Sequence, residues 1–197
     1  VRIPTELVLP RLSPEEQCQL FIEKLALLET CQHFFIQHKL TAWIYITPDV
    51  VPLLIMDNES ISAVKRFSFL ELMINESFPE LVNGKANKTL NALAERFPLV
   101  LANFGAGEST NKAIFDGLFK RIILDWNFVH RRATQLSFEP FMRAILTQVS
   151  PYCESLMIAG IDSEAMLTRV TPFGFGAMQG GLWPAVTASQ ITQLLHG

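Results

Sequence analysis

Residues 98–129, PLVLANFGAGESTNKAIFDGLFKRIILDWNFV, restrict the possible folds more than any other stretch of this chain. Residues 98–102 form an apolar run of strand length. Residues 103–107 (NFGAG) follow as a glycine-containing turn, and Ser109 or Thr110 can cap a helix that carries Ala113, Ile114, Leu118 and Phe119 at helical spacing. Residues 121–125 are a second apolar run and end in a carboxylate. Strand, glycine loop, helix, strand is a βαβ unit, which is right-handed and builds parallel sheet. In barrels built from such units the loops after the strands carry the chemistry, so Asn103 and Asp125 mark where a site would lie.

The same alternation extends along most of the chain. Ser13-Pro14-Glu15-Glu16 is a helix start, with Ser13 as cap, Pro14 in the first helical position and Glu16 closing a capping box. Cys18, Phe21, Ile22, Leu25 and Leu28 then share a face. Residues 41–47 (TAWIYIT) and 69–74 (FLELMI) are expected strands, separated by short helices near 49–56 and 60–66. Residues 87–97 form an amphipathic helix, 127–149 are mostly helical, and 155–159 and 173–178 are further strands before a closing helix at 188–195. Strands from Thr41 onward, each followed by helix, predict an α/β fold of the (β/α) TIM-like barrel type. A complete barrel of this kind runs to roughly 250 residues. At 197 residues the chain is short for one, and one or more N-terminal strands are expected to be missing from it.

Composition narrows the function classes. The chain is 49% hydrophobic and carries a formal net charge of -3, with no basic stripe, so direct nucleic-acid binding is disfavoured. No apolar run approaches the roughly 20 residues of a membrane helix, and no signal peptide is seen, which predicts a cytoplasmic protein. Cys18, Cys31 and Cys153 form no Cys-x-x-Cys pair and read as buried thiols. His33 and His38 are five residues apart, which does not place them on one helical face as a metal pair. Asn58, Asn75 and Asn87 each begin a glycosylation sequon by chance.

A metal or acid–base site would need carboxylates, Asn or His at several strand ends. The ends offer Tyr45, Thr47 and Asp49; Met73, Asn75 and Glu76; Ala102 and Asn103; Asp125; Ala159 and Asp162; and Gln179 in the last loop. No Ser/His/Asp set appears among them, and Gly105-Ala-Gly107 is a weak phosphate-loop signal that a tight β/α turn explains. On these residues alone the barrel is poor in catalytic groups.

ETCQHFFIQHKL, ANFGAGES, KAIFDGLFKR, SFEPFMRAI and QGGLWP are the specific pieces through which the chain resembles the EAL-domain family of cyclic-di-GMP phosphodiesterases over essentially its whole length. The Glu-Ala-Leu signature of that family would lie upstream of Val1. The resemblance implies an EAL-type barrel, with residues 1–197 as a single, N-terminally truncated domain. It also assigns metal and catalytic positions, and this chain departs from them. The Asn of the family "VNLS" is Tyr45, the Glu of "LEITE" is Met73, the two Asp of "DDFGTG" are Ala102 and Asn103, the Lys of "KID" is Ile123 and the Glu of "AEGVE" is Ala159, whereas Asp125 and Gln179 are kept. No catalytic residue, metal or cofactor is therefore expected. Similarity to the degenerate branch of the family implies an anti-activator of flagellar genes. Such a protein binds the FlhD subunit of the master regulator FlhDC and blocks its access to DNA, without contacting nucleic acid or membrane itself. The alternatives are a cyclic-di-GMP receptor and a residual phosphodiesterase, and the missing carboxylates weigh against both. No partner-binding residue is assigned; the helix over 13–29 and the apolar stripe over 138–149 are the candidate docking faces.

Overall fold

A computed structural model describes residues 11–105, 111–132 and 137–195 of the chain. The first helix, α1 (Pro14–Gln37), starts as its sequence requires: Ser13 Oγ accepts the Glu16 N–H at 3.2 Å and Glu16 Oε2 accepts the Ser13 N–H at 2.8 Å. The helix runs for 24 residues without a break and buries Phe21, Leu25 and Leu28 against the sheet, whereas Ile22, expected on the same face, points outward and is exposed. Strand β1 (Ala42–Tyr45) follows, then α2 (Val51–Met56), α3 (Asn58–Lys65) and β2 (Leu70–Asn75). A 3-10 segment (Leu81–Ala86) leads into α4 (Lys88–Arg96), β3 (Leu99–Phe104) and α5 (Asn111–Phe115). The chain continues through β4 (Arg121–Asp125), α6 (Trp126–Arg132), α7 (Phe138–Val149), β5 (Ser155–Ala159), α8 (Glu164–Val170), β6 (Met178–Gln179) and a 3-10 segment (Ala188–Leu195).

All six strands belong to one parallel sheet in sequence order, β1 to β6, and β1 and β6 are its two edges. Sequential parallel strands joined by helices curve into part of a barrel, with the helices on the outer side. Alternation along each strand separates two layers. Leu70, Leu72 and Ile74 of β2, Leu99 and Leu101 of β3 and Ile122 of β4 pack with the helices in the main core, together with Leu54, Leu90, Leu93 and Ile114. Leu124 and Ile158 join a second outer cluster with Trp126, Phe138, Met142 and Val170. The intervening residues form the inner face.

Three expectations need correction. The last strand is Met178–Gln179 and not residues 173–178, because Gly174 adopts φ 69 and Phe173 and Phe175 pack into the outer aromatic cluster beside Phe138. The apolar stripe of α7 is not a free docking face: Phe138, Met142 and Val149 are buried in the core. The three cysteines are free but half-buried, not buried. The closing helix over 188–195 forms where it was expected, in the 3-10 geometry. The predicted cap at Ser109 or Thr110 and the glycine at 107 lie outside the described residues. Asn87 is buried and caps α4, which accounts for one sequon as a structural asparagine.

Candidate functional site

The inner face of the sheet holds three levels of side chains. At the strand starts sits a buried carboxylate. Glu71 is 3% exposed and accepts from Arg121 Nε at 2.8 Å, Trp43 Nε1 at 3.0 Å and Lys120 Nζ at 3.2 Å. Burial pushes the Glu71 carboxyl up, but hydrogen bonds from Arg121, Trp43 and Lys120, with the charge of Arg121, outweigh this and hold it below the usual carboxylate range. The cluster joins β1, β2 and the start of β4 at the end of the barrel that carries stability and not chemistry. It was missed in the sequence, although Glu71 is the one charged residue in FLELMI and Lys120-Arg121 opens the β4 run.

The middle level is apolar. Val100, Ile123 and Met157 are buried there, with Trp43, Met73 and Ala159 packed against them. The ladder explains the grouping: Met73 is the register partner of both Tyr45 and Val100, and Ile123 is that of Met157. At the strand ends Asn75 pairs with Ala102, Asp125 with Ala159, and Ala159 with Gln179. The structure thus brings Tyr45, Met73, Ala102, Ile123 and Ala159 to one face. Asn103 behaves differently. It follows Ala102 where the β3–β4 register shifts, and its φ of 56 breaks the strand alternation.

Asn75, Asp125, Asp162 and Asp49, at or just after the strand ends, are engaged within the protein. Asn75 Nδ2 donates to the Tyr45 hydroxyl at 2.9 Å, while Asn75 Oδ1 accepts the Ser77 N–H at 3.0 Å. Asp125 Oδ1 accepts the Phe128 N–H at 2.9 Å and so caps the first turn of α6. Phe128 in turn lies on Gly105, whose φ is 95 and where an added Cβ would come within 2.2 Å of the ring. Asp162 Oδ1 accepts the Gly181 N–H at 2.7 Å, and Gln179 is exposed beside it. Asp49 accepts from the buried Gln17 Nε2 at 3.0 Å, on the α1 side of the sheet.

Among the described residues no group of three or more His, Cys, Asp or Glu is placed to hold a metal ion. Magnesium and manganese take oxygen ligands, commonly carboxylates. The metal and catalytic positions that the EAL resemblance assigns present a phenol at 45, a thioether at 73, methyl groups at 102 and 159, an aliphatic chain at 123 and one carboxamide at 103, beside the retained Asp125, which is engaged in capping α6. This donor set does not fit a hard divalent cation, and no chemistry through one is derived. No helix among the described residues is long and apolar enough to cross a membrane.

No family model matches the chain. It is 65% identical over 196 residues to the anti-FlhC(2)FlhD(4) factor YdiV of Salmonella arizonae, with 100% of this chain and 83% of that protein covered. It is 51% identical over 196 residues to the putative anti-FlhC(2)FlhD(4) factor YdiV of Escherichia coli, with the same coverage of 100% and 83%. Among solved structures it is similar to the EAL-like domain protein YdiV at a TM-score of 0.90 and 51% identity, covering 98% of this chain and 83% of that one. The EAL domain of Mycobacterium smegmatis DcpA, at 18% identity and a TM-score of 0.73 over 94% of this chain and 85% of that one, shares the fold. Identity of this order along the whole chain, on a sequential parallel sheet with helices outside, means that the chain belongs to the YdiV family of EAL-like domain proteins.

Proposed function

We propose that this chain is a non-catalytic antagonist of the FlhDC regulator, acting in the cytoplasm as a single EAL-like domain. It binds through FlhD, keeps the complex from DNA and so represses flagellar genes. The observation that carries the non-catalytic half is the inner face itself. Met73, Ile123 and Ala159 pack in one apolar cluster where the family resemblance calls for a carboxylate, a lysine and a carboxylate. With both glutamates and the lysine replaced, the groups that would hold a metal ion and its hydroxide against a phosphodiester are missing. The binding half is supported by the relatives named anti-FlhC(2)FlhD(4) factors at 51% to 65% identity.

A retained fold without its chemistry works through a surface. Of the two helical faces open to consideration, α7 is core, whereas α1 keeps Ile22 at 46% and Ile36 at 57% exposure, with Glu23 and Glu29 exposed among them. An apolar centre with a charged rim is the usual anatomy of a protein interface. The test is calorimetric titration of purified FlhDC with the protein, beside incubation with cyclic-di-GMP and Mn²⁺. Binding without EDTA-sensitive turnover is expected. Turnover, or no heat of binding, sinks the reading.

A further inference from the structure

We propose that the Tyr45–Asn75 hydrogen bond is a latch that closes the β1–β2 corner of the barrel mouth, so that restoring the lost carboxylates is not enough to readmit a divalent cation. This deepens the non-catalytic reading and rests on it.

Tyr45 lies opposite Met73 in the β1–β2 register, yet its hydroxyl meets Asn75, two residues further along β2. Two residues of strand rise by roughly 6.6 Å. The phenol therefore runs from the level of Met73 up to the strand ends and occupies the space above the Met73 side chain. Asn75 is held from its other side: its Oδ1 accepts the Ser77 N–H at 3.0 Å as well as the Ser77 hydroxyl. An amide fixed at both ends keeps the ring from swinging aside. An aspartate at 102, the register partner of Asn75, would face this filled corner and not an open coordination site.

The second polar group at the mouth is committed in the same way. Asp125 Oδ1 caps α6 through the Phe128 N–H, and the Phe128 ring rests on Gly105. Turning that carboxylate inward to bind a cation would break the cap and unseat the ring. The corner by Tyr45 is the one a substitution can open without that loss.

The experiment measures Mn²⁺ binding by calorimetry, with the metal alone, on three proteins: the wild type, the Met73→Glu/Ala102→Asp/Ala159→Glu variant, and that variant carrying Tyr45→Ala as well, which removes the phenol without adding a metal ligand. One hydrogen bond of ordinary net strength biases a two-state corner by roughly fivefold. The quadruple variant is expected to bind Mn²⁺ at least about fivefold more tightly than the triple variant. Equal affinity of the two overturns the latch. Hydrolysis of cyclic-di-GMP by the wild type is a separate outcome, which overturns the non-catalytic reading instead.

Should the multiple variants fail to fold, single substitutions decide. The chain has two tyrosines, Tyr45 and the exposed Tyr152, so nitration by tetranitromethane followed by peptide mapping reports Tyr45 against an internal standard. Asn75→Ala is expected to raise nitration of Tyr45 relative to Tyr152 by roughly fivefold. An unchanged ratio in a folded Asn75→Ala protein overturns the proposal.

Discussion

Arg121 Nε donates to Glu71 Oε2 at 2.8 Å, so a guanidinium on β4 and a carboxylate on β2 meet across the inner face with β3 between them. Removing one partner of a buried ion pair strands the other, at a cost of about 3 kcal/mol or more. Glu71→Ala is therefore expected to lower unfolding free energy by about 3 kcal/mol in chemical denaturation at neutral pH. The pH dependence has a definite sign. Because the folded pKa of Glu71 is depressed, its contribution is complete above the unfolded value of about 4.3 and is lost as pH falls through the folded one. The gap between wild type and variant should narrow below about pH 4. A gap that stays constant into acid would show that the carboxylate charge is not what stabilises the cluster.

Asn87 acts at both ends of its amide. Oδ1 accepts the Leu90 N–H at 3.1 Å to cap α4, and Nδ2 donates to the Pro79 carbonyl at 2.9 Å. Asn87→Ala should cost about 1–2 kcal/mol, and Asn87→Ser less, because serine keeps a capping oxygen and loses only the amide donor. Thermal melting of the two variants separates the contributions. Equal losses would mean that the cap carries little of the effect.

Two helices make contrasting predictions. Met142 on α7 is fully buried, so Met142→Ala should destabilise by about 2–5 kcal/mol. Ile22→Ser and Ile36→Ser on the outer face of α1 should stay within about 0.5 kcal/mol of wild type in stability. If that face meets FlhD, the pair should weaken binding by about tenfold in calorimetry. Unchanged affinity places the interface elsewhere.

Gly105 tests the packing behind the mouth. Its φ of 95 and the Phe128 ring beneath it leave no room for a methyl group. Gly105→Ala should cost more than the roughly 1 kcal/mol of a strained backbone alone, and the companion Phe128→Ala should relieve part of it. Strict additivity in this double-mutant cycle would show that the ring and the glycine are not coupled.

The fold was legible in the sequence wherever local chemistry and tertiary packing agree. Ser13, Pro14 and Glu16 form their capping box, and the apolar runs near 70–75, 99–104, 121–125 and 155–159 are strands. The family resemblance assigned Tyr45, Met73, Ala102, Ile123 and Ala159 to one site, and the strand register brings them to one face. Residues 173–178 failed because two phenylalanines flanking Gly174 read as a strand, while their rings are taken by the outer aromatic cluster. The internal engagements of the mouth were illegible for another reason. Whether Asn75 meets Tyr45, or Asp125 caps α6, depends on side-chain direction at a strand end, which residue type alone does not specify.

The most direct test of antagonism is fluorescence anisotropy of a labelled flagellar promoter fragment bound by FlhDC, with this protein titrated in. Anisotropy is expected to fall to the free-DNA value as the protein passes stoichiometric equivalence with FlhD, and the protein alone should leave the DNA signal unchanged. Anisotropy that holds at the bound value under a large excess of folded protein would contradict the account.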